Sequence, residues 1–185
     1  MTSWIPLRNV GMCGCNKAAA AKAVKEANVQ RGAGNRTVAV VKSAPVILAT
    51  VNPSIWGPSL WKILHIAALR SGSRSTIPHW RSILEAMMSG LPCPDCSDHY
   101  NAWYRSHPLR LGLMPNMFQG AIIRWILEVH NDVNRRTGKA VWNTTQLAAT
   151  YGGETIATAK ALVDSLNGVI GARLSGALNA LLRTL

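Results

Sequence analysis

A chain of 185 residues can bury one ordinary hydrophobic core with extensions, and two complete domains would be a squeeze. Its net charge of +12 draws it toward phosphate, anionic lipid or an acidic protein surface, although a basic tail that is merely solvated gives the same total. No aromatic interleaving or nucleic-acid motif supports sequence-specific reading, so contact with nucleic acid is expected to be non-specific if it occurs at all.

Residues 1–52 read as a basic N-terminal arm. Residues 1–55 hold seven Lys and Arg against one acid. MTSWIPLRNV has no apolar run behind a basic start, and residue 2 is Thr, so neither a secretory peptide nor N-myristoylation is expected. The pair Cys13 and Cys15 sits between glycines, followed by a helix-forming NKAAAAKAVKEANVQ and a break at RGAGNR. VAVVKSAPVILATV is β-branched and extended in character; Lys42 and Pro45 interrupt it, and it is too short to span a bilayer. No transmembrane segment is expected, and a reducing compartment favours catalytic or metal-binding cysteines over a structural framework.

Residues 53–143 carry a helical pattern and most of the tryptophan, so the core is expected here. NPSIWGPSLWKILHIAALRSG repeats inward positions at Trp61, Leu64, His65 and Ala68 and ends at Gly72. IPHWRSILEAMMSGLP turns Trp80, Ile83, Leu84 and Met87 inward and stops at Gly90. CPDCSDHYNAWYRSH forms a short third helix, because Pro94 suits a first turn and Asp95 and Asp98 suit the positive end of the dipole. NMFQGAIIRWILEVHNDVNRRTGK is the longest, with Ile122, Ile126, Val129 and Val133 apolar. Nothing in this stretch alternates like a strand, so the fold class is all-α, a bundle of four short helices. Residues 144–185 form a C-terminal helical extension: its leucines recur at about 3.5-residue spacing and predict one amphipathic helix, or two joined near Gly168. Ser and Asn on the polar face favour packing on the bundle or a second subunit over a membrane surface.

Cys93 and Cys96, spaced Cys-x-x-Cys at a helix start, have a defined chemistry. Free amides there stabilise a thiolate, and the spacing lets the two sulfurs meet in an exchangeable disulfide. A thioredoxin-like unit would need flanking strands, which the pattern lacks. Zinc would need two further ligands from Cys13, Cys15, His65 or His99; the long separation and the tight CGC spacing argue against it, so no metal is expected. His99 and Trp103 follow Cys96 at i+3 and i+7, and Trp125, His130, Val133 and Asn134 lie on the fourth helix. Such a lining suits a flat, nitrogen-rich aromatic cofactor, although each residue taken singly is also explained by packing.

WGPSLWKILHIAA, PCPDCSDHY and VHNDVNRRTGKAVW, in this order, resemble the Erv/Alr family of FAD-linked sulfhydryl oxidases over about residues 53–143. The resemblance implies a helical bundle cradling FAD beside the Cys-x-x-Cys, Cys96 against the isoalloxazine and Cys93 exchanging with incoming protein dithiols. Trp56, Gly57, Trp61 and His65 would contact the cofactor from the first helix and His99 and Tyr100 from the third. His130, Asn131, Val133 and Asn134 would hold the adenosine and ring edge, with Lys139 and Trp142 near the pyrophosphate and adenine. Lys139 also has a physical case, since a cation just past a helix end can pair with a diphosphate.

Relatives often carry shuttle cysteines on a tail, and Cys13 and Cys15 fit that part. The roughly 36 residues from Cys15 to Val51 give a flexible reach of ~30 to 36 Å. Spectator cysteines are the competing reading. The extra cysteine pair that many relatives place after the position of Trp142 is missing, so stability must come from packing or the C-terminal helix. A homodimer is expected, and a viral member of the family, in the host cytosol and the virion. The rival function is structural, a capsid-associated component using the arm and the last helix to bind other virion proteins.

Overall fold

The computed structural model describes residues 52–109, 112 and 115–185. Readings that fall on the N-terminal arm, Cys13 and Cys15 included, lie outside the described residues. The described residues are helical with no strand among them, in seven helices: α1 (Pro53–Arg70), α2 (Thr76–Gly90), α3 (Pro94–Ser106), α4 (Pro115–Arg136), α5 (Thr144–Tyr151), α6 (Ile156–Ser165) and α7 (Ala172–Leu182).

Local chemistry sets the ends of these helices. Asn52 caps α1 by accepting from the Ser54 amide at 3.0 Å, with Pro53 in the first turn. At the other end Ser71 Oγ donates to the Ala67 carbonyl at 2.7 Å and accepts from the Trp80 indole at 2.7 Å, so one buried hydroxyl closes α1 and anchors α2. α4 finishes in a turn around Gly138, whose φ of +69° places it in the left-handed region, and the Lys139 amide returns to the Asn134 carbonyl at 2.8 Å. Asn143 and Gln146 cap α5 reciprocally, and Thr155 caps α6.

The four helices expected from periodicity appear in order, with Leu64, His65, Ala68, Trp80, Ile83, Leu84, Ile122 and Ile126 all wholly buried. α1 packs against α4, α5 and α6, whereas α2 packs against α3 and α7. Residues 144–185 hold α5 and then α6 and α7, and the leucine-rich stretch takes the second of the two forms expected, a pair of helices joined through Gly168 at a φ of +76°. Ala159, Val163, Leu174, Leu178 and Leu181 are wholly buried within the same core cluster as α1 and α2. The leucine repeat thus faces the bundle, and at about 1.5–3 kcal/mol for each large apolar side chain it is a principal part of the stabilisation. Among the described residues no helix is long and apolar enough to cross a membrane.

Candidate active site

Two constellations share α4. The first is the disulfide Cys93–Cys96 at the start of α3, with Cα atoms 5.1 Å apart. Cys93 is the N-cap residue: its sulfur accepts from the Cys96 amide at 3.3 Å, Pro94 follows in the first turn and Asp95 adds an acid there. Cys93 is buried at 2 % exposure, whereas Cys96 is half-buried against the core. Among the described residues no three His, Cys, Asp or Glu gather as a metal site.

Behind the disulfide, Trp103 stacks on His107 with centroids 4.1 Å apart and meets Trp125 edge-on at 4.7 Å. Tyr100 lies against Trp125 as well, and its hydroxyl donates to the Leu84 carbonyl at 2.9 Å. His99 does not join them. The core-facing stripe of α3 runs through Cys96, Tyr100, Trp103 and Tyr104; His99, three residues after Cys96 and four before Trp103, borders that stripe and is exposed.

The second constellation joins α1, α4 and α5. Trp61 stacks on His130 at 4.4 Å and 10°, Tyr151 stacks on His65 at 5.3 Å and 14°, and Trp142 stacks on Tyr151 at 5.8 Å. His65 Nε2 and His130 Nδ1 share a hydrogen bond at 2.8 Å. Burial, with the neighbouring His130, holds the His65 imidazole down at about 3. Burial and the charge of Lys139 hold His130 at about 4, so both rings are neutral at pH 7. With one proton between them, His65 Nδ1 is left as either an unmet donor or an unmet acceptor, and it is buried without a partner. The Trp56 indole N–H is likewise buried and unpaired, and Gly57 beside it is buried, yet a Cβ there would meet nothing within 4 Å.

Asn131 is fully engaged. Its Nδ2 donates to the Trp142 carbonyl at 2.7 Å and its Oδ1 accepts from the Trp142 amide at 2.8 Å, so it fixes the loop that carries Trp142. Asn134 is buried, Val133 half-buried and Lys139 exposed past the end of α4. Of the residues singled out from sequence, the fold thus brings Trp61, His65, His130, Asn131 and Trp142 together. Tyr100 stands in the other ring cluster with Trp125. Tyr151 escaped sequence reasoning because a lone Tyr before two glycines gives no periodic signal. The Lys62–Glu154 ion pair, which holds Glu154 below the usual carboxylate range through its hydrogen bond, links positions 92 apart in the chain.

A flat, nitrogen-rich ring system suits these residues on an observation of their own. The layer offers parallel aromatic faces, and it leaves two buried polar atoms, Trp56 Nε1 and His65 Nδ1, for which the protein supplies no partner. Such groups are stable only when something else completes them.

An all-α protein with a disulfide capping one helix and an aromatic–imidazole layer on the neighbouring ones is of the kind that handles thiol redox chemistry with a planar cofactor. The Erv1 / Alr family model matches residues 58–152, just over half of the chain, and the chain belongs to that family. It is 31% identical over 99 residues to the FAD-linked sulfhydryl oxidase ERV1 of Arabidopsis thaliana, covering 52% of this chain and 49% of the relative. It is 32% identical over 92 residues to the FAD-linked sulfhydryl oxidase of African swine fever virus, covering 46% and 71%. It is 27% identical over 97 residues to the putative FAD-linked sulfhydryl oxidase 347L of Invertebrate iridescent virus 6, covering 50% and 87%. The chain spans about half the length of the plant relatives it matches. No solved structure matches it. The family match ends one residue after Tyr151, so α6 and α7 lie beyond it.

Proposed function

We propose that this chain is an FAD-linked sulfhydryl oxidase that makes disulfides from protein dithiols, with dioxygen as the electron acceptor and hydrogen peroxide as the product. The observation that carries the reading is the Cys93–Cys96 disulfide capping a helix in a chain of this family. Bound flavin supplies the two-electron chemistry and the reaction with dioxygen.

The chain's own residues do the thiol chemistry. A substrate thiolate attacks one sulfur of the pair, the Cys93–Cys96 bond breaks, a mixed disulfide forms and the other sulfur leaves as a thiolate. The second substrate thiol then displaces the enzyme sulfur, so the substrate leaves oxidised and the pair is reduced by two electrons. Entry at Cys93 with release of Cys96 is the order the family resemblance suggests. Cys93 is the more buried of the two. The Cys96 amide donates to the Cys93 sulfur and stabilises negative charge on it.

Trp61, His130 and Trp142 would stack on the flavin or adenine, with Trp56 Nε1 and His65 Nδ1 meeting polar edges. Gly57 would allow close approach, Val133 and Asn134 would line the adenosine side, and Lys139 would face the diphosphate. Asn131 would act through Trp142. His99 and Tyr100 complete the proposed set from α3, His99 from its exposed position beside the Cys96 stripe and Tyr100 from the ring cluster around Trp125. Cys13 and Cys15 are proposed as the shuttle, and a homodimer as the assembly. The two viral relatives support a viral member, for which the host cytosol and the virion are the proposed locations.

An absorption spectrum of the purified full chain, with oxygen consumption on a dithiol, tests the proposal. A flavin band and peroxide production are expected. Colourless protein that takes up no added FAD and consumes no oxygen would overturn it and leave a scaffold built on the same fold.

A further inference from the structure

The end of α2 has two clients. Its last carbonyls lack partners within the helix and must find them elsewhere. α3 supplies one partner, Asn101 Nδ2 donating to the Met88 carbonyl at 3.1 Å, and the Tyr100 hydroxyl adds a bond to the Leu84 carbonyl further back in the helix. The other comes from the far end of the chain, where the Gly171 amide donates to the Gly90 carbonyl at 2.8 Å. The approach is so close that a Cβ on Gly171 would stand 2.9 Å from Gly90 Cα, and a Cβ on Gly90 would stand 2.9 Å from Leu174 Cβ. Gly171 has a φ of −57°, which any residue adopts, so it is proximity rather than backbone freedom that demands glycine.

Gly90 lies three residues before Cys93, and the path between them is stiff. Pro92 and Pro94 fix their own φ and hold Leu91 and Cys93 extended, with ψ of 135° and 116°. A displacement at Gly90 is therefore passed to the cap sulfur rather than absorbed. We propose that the Gly90–Gly171 junction makes α7 a positioning element for the Cys93–Cys96 pair, holding Cys93 where its sulfur receives the Cys96 amide. α7 lies beyond the family match. The proposal concerns the sulfurs alone and is read whether or not flavin binds, so its failure is distinguishable from failure of the oxidase reading.

The test is the pH profile of Cys93 alkylation in the reduced full chain, followed by peptide mass mapping. Gly171→Ala is expected to move the midpoint upward and slow alkylation at pH 7 by roughly threefold or more, because the thiolate loses its amide donor. Gly176→Ala, on the exposed side of α7 where a Cβ meets nothing, and Val163→Ala, which destabilises α6, are expected to leave the midpoint in place. An unmoved midpoint in Gly171→Ala, or an equal shift in Val163→Ala, overturns the proposal. The unaltered protein provides a second measurement that no folding defect can confound. By reciprocity, reducing the disulfide is expected to lower hydrogen-exchange protection at Gly171 several-fold and not at Ala159; equal protection in both redox states also overturns it.

Discussion

Lowering the pH should destabilise the fold through the His65–His130 pair from about pH 6.5 downward, before most carboxylates begin to titrate. In the folded protein burial holds the two imidazoles down at about 3 and about 4, against about 6.5 for a free imidazole. The folded pKa values are depressed, so the neutral pair contributes stability that is complete above the unfolded pKa and is lost as pH falls toward the folded values. At pH 5 the unfolded chain binds almost two more protons than the folded one, giving a slope of a few kcal/mol per pH unit, on the order of 2 kcal/mol per imidazole between pH 7 and pH 5. Guanidinium unfolding followed by tryptophan fluorescence at half-unit steps measures this directly. His65→Gln keeps a hydrogen-bonding group toward His130 while removing one titrating ring, and should roughly halve the slope. If His65→Gln retains the full slope, the buried neutral pair is not the source and the reasoning fails.

Replacing either cysteine should abolish dithiol oxidation, and the single variants rank the sulfurs. Cys96→Ser trapping a mixed disulfide with a small dithiol, seen by mass spectrometry, is expected if entry is at Cys93; trapping only by Cys93→Ser would reverse the order. Trp61→Ala removes the ring stacked on His130 and should lower the flavin-to-protein ratio of purified protein several-fold, read from the absorption spectrum. Asn131→Ala leaves the Trp142 amide and carbonyl without partners and should cost about 1–3 kcal/mol in denaturant unfolding. Trp80→Ala empties a fully buried site and strands Ser71, at a cost of about 3–5 kcal/mol in the same assay.

The helices were legible where apolar residues recur on one face, as at Trp80, Ile83, Leu84 and Met87, because tertiary burial follows that period. α5 was not, since TTQLAATY buries only Leu147 and owes its start to the Asn143–Gln146 cap rather than to a stripe. Within the candidate site, the disulfide followed from spacing and Pro94. The His65–His130 contact did not, because nothing local in the sequence reports a pairing between positions 65 apart. Asn131 is adjacent in sequence to His130, yet its partner is the main chain at Trp142, a relation that depends on how the Gly138 turn reverses direction.

Because Ala159, Val163, Leu174, Leu178 and Leu181 are interior residues, cutting the chain at the end of the family match would not excise a spare tail. Such a cut would bare an oily seam along α1 and α2 and invite self-association. The smallest piece expected to fold and stay dispersed therefore runs on to the last helix.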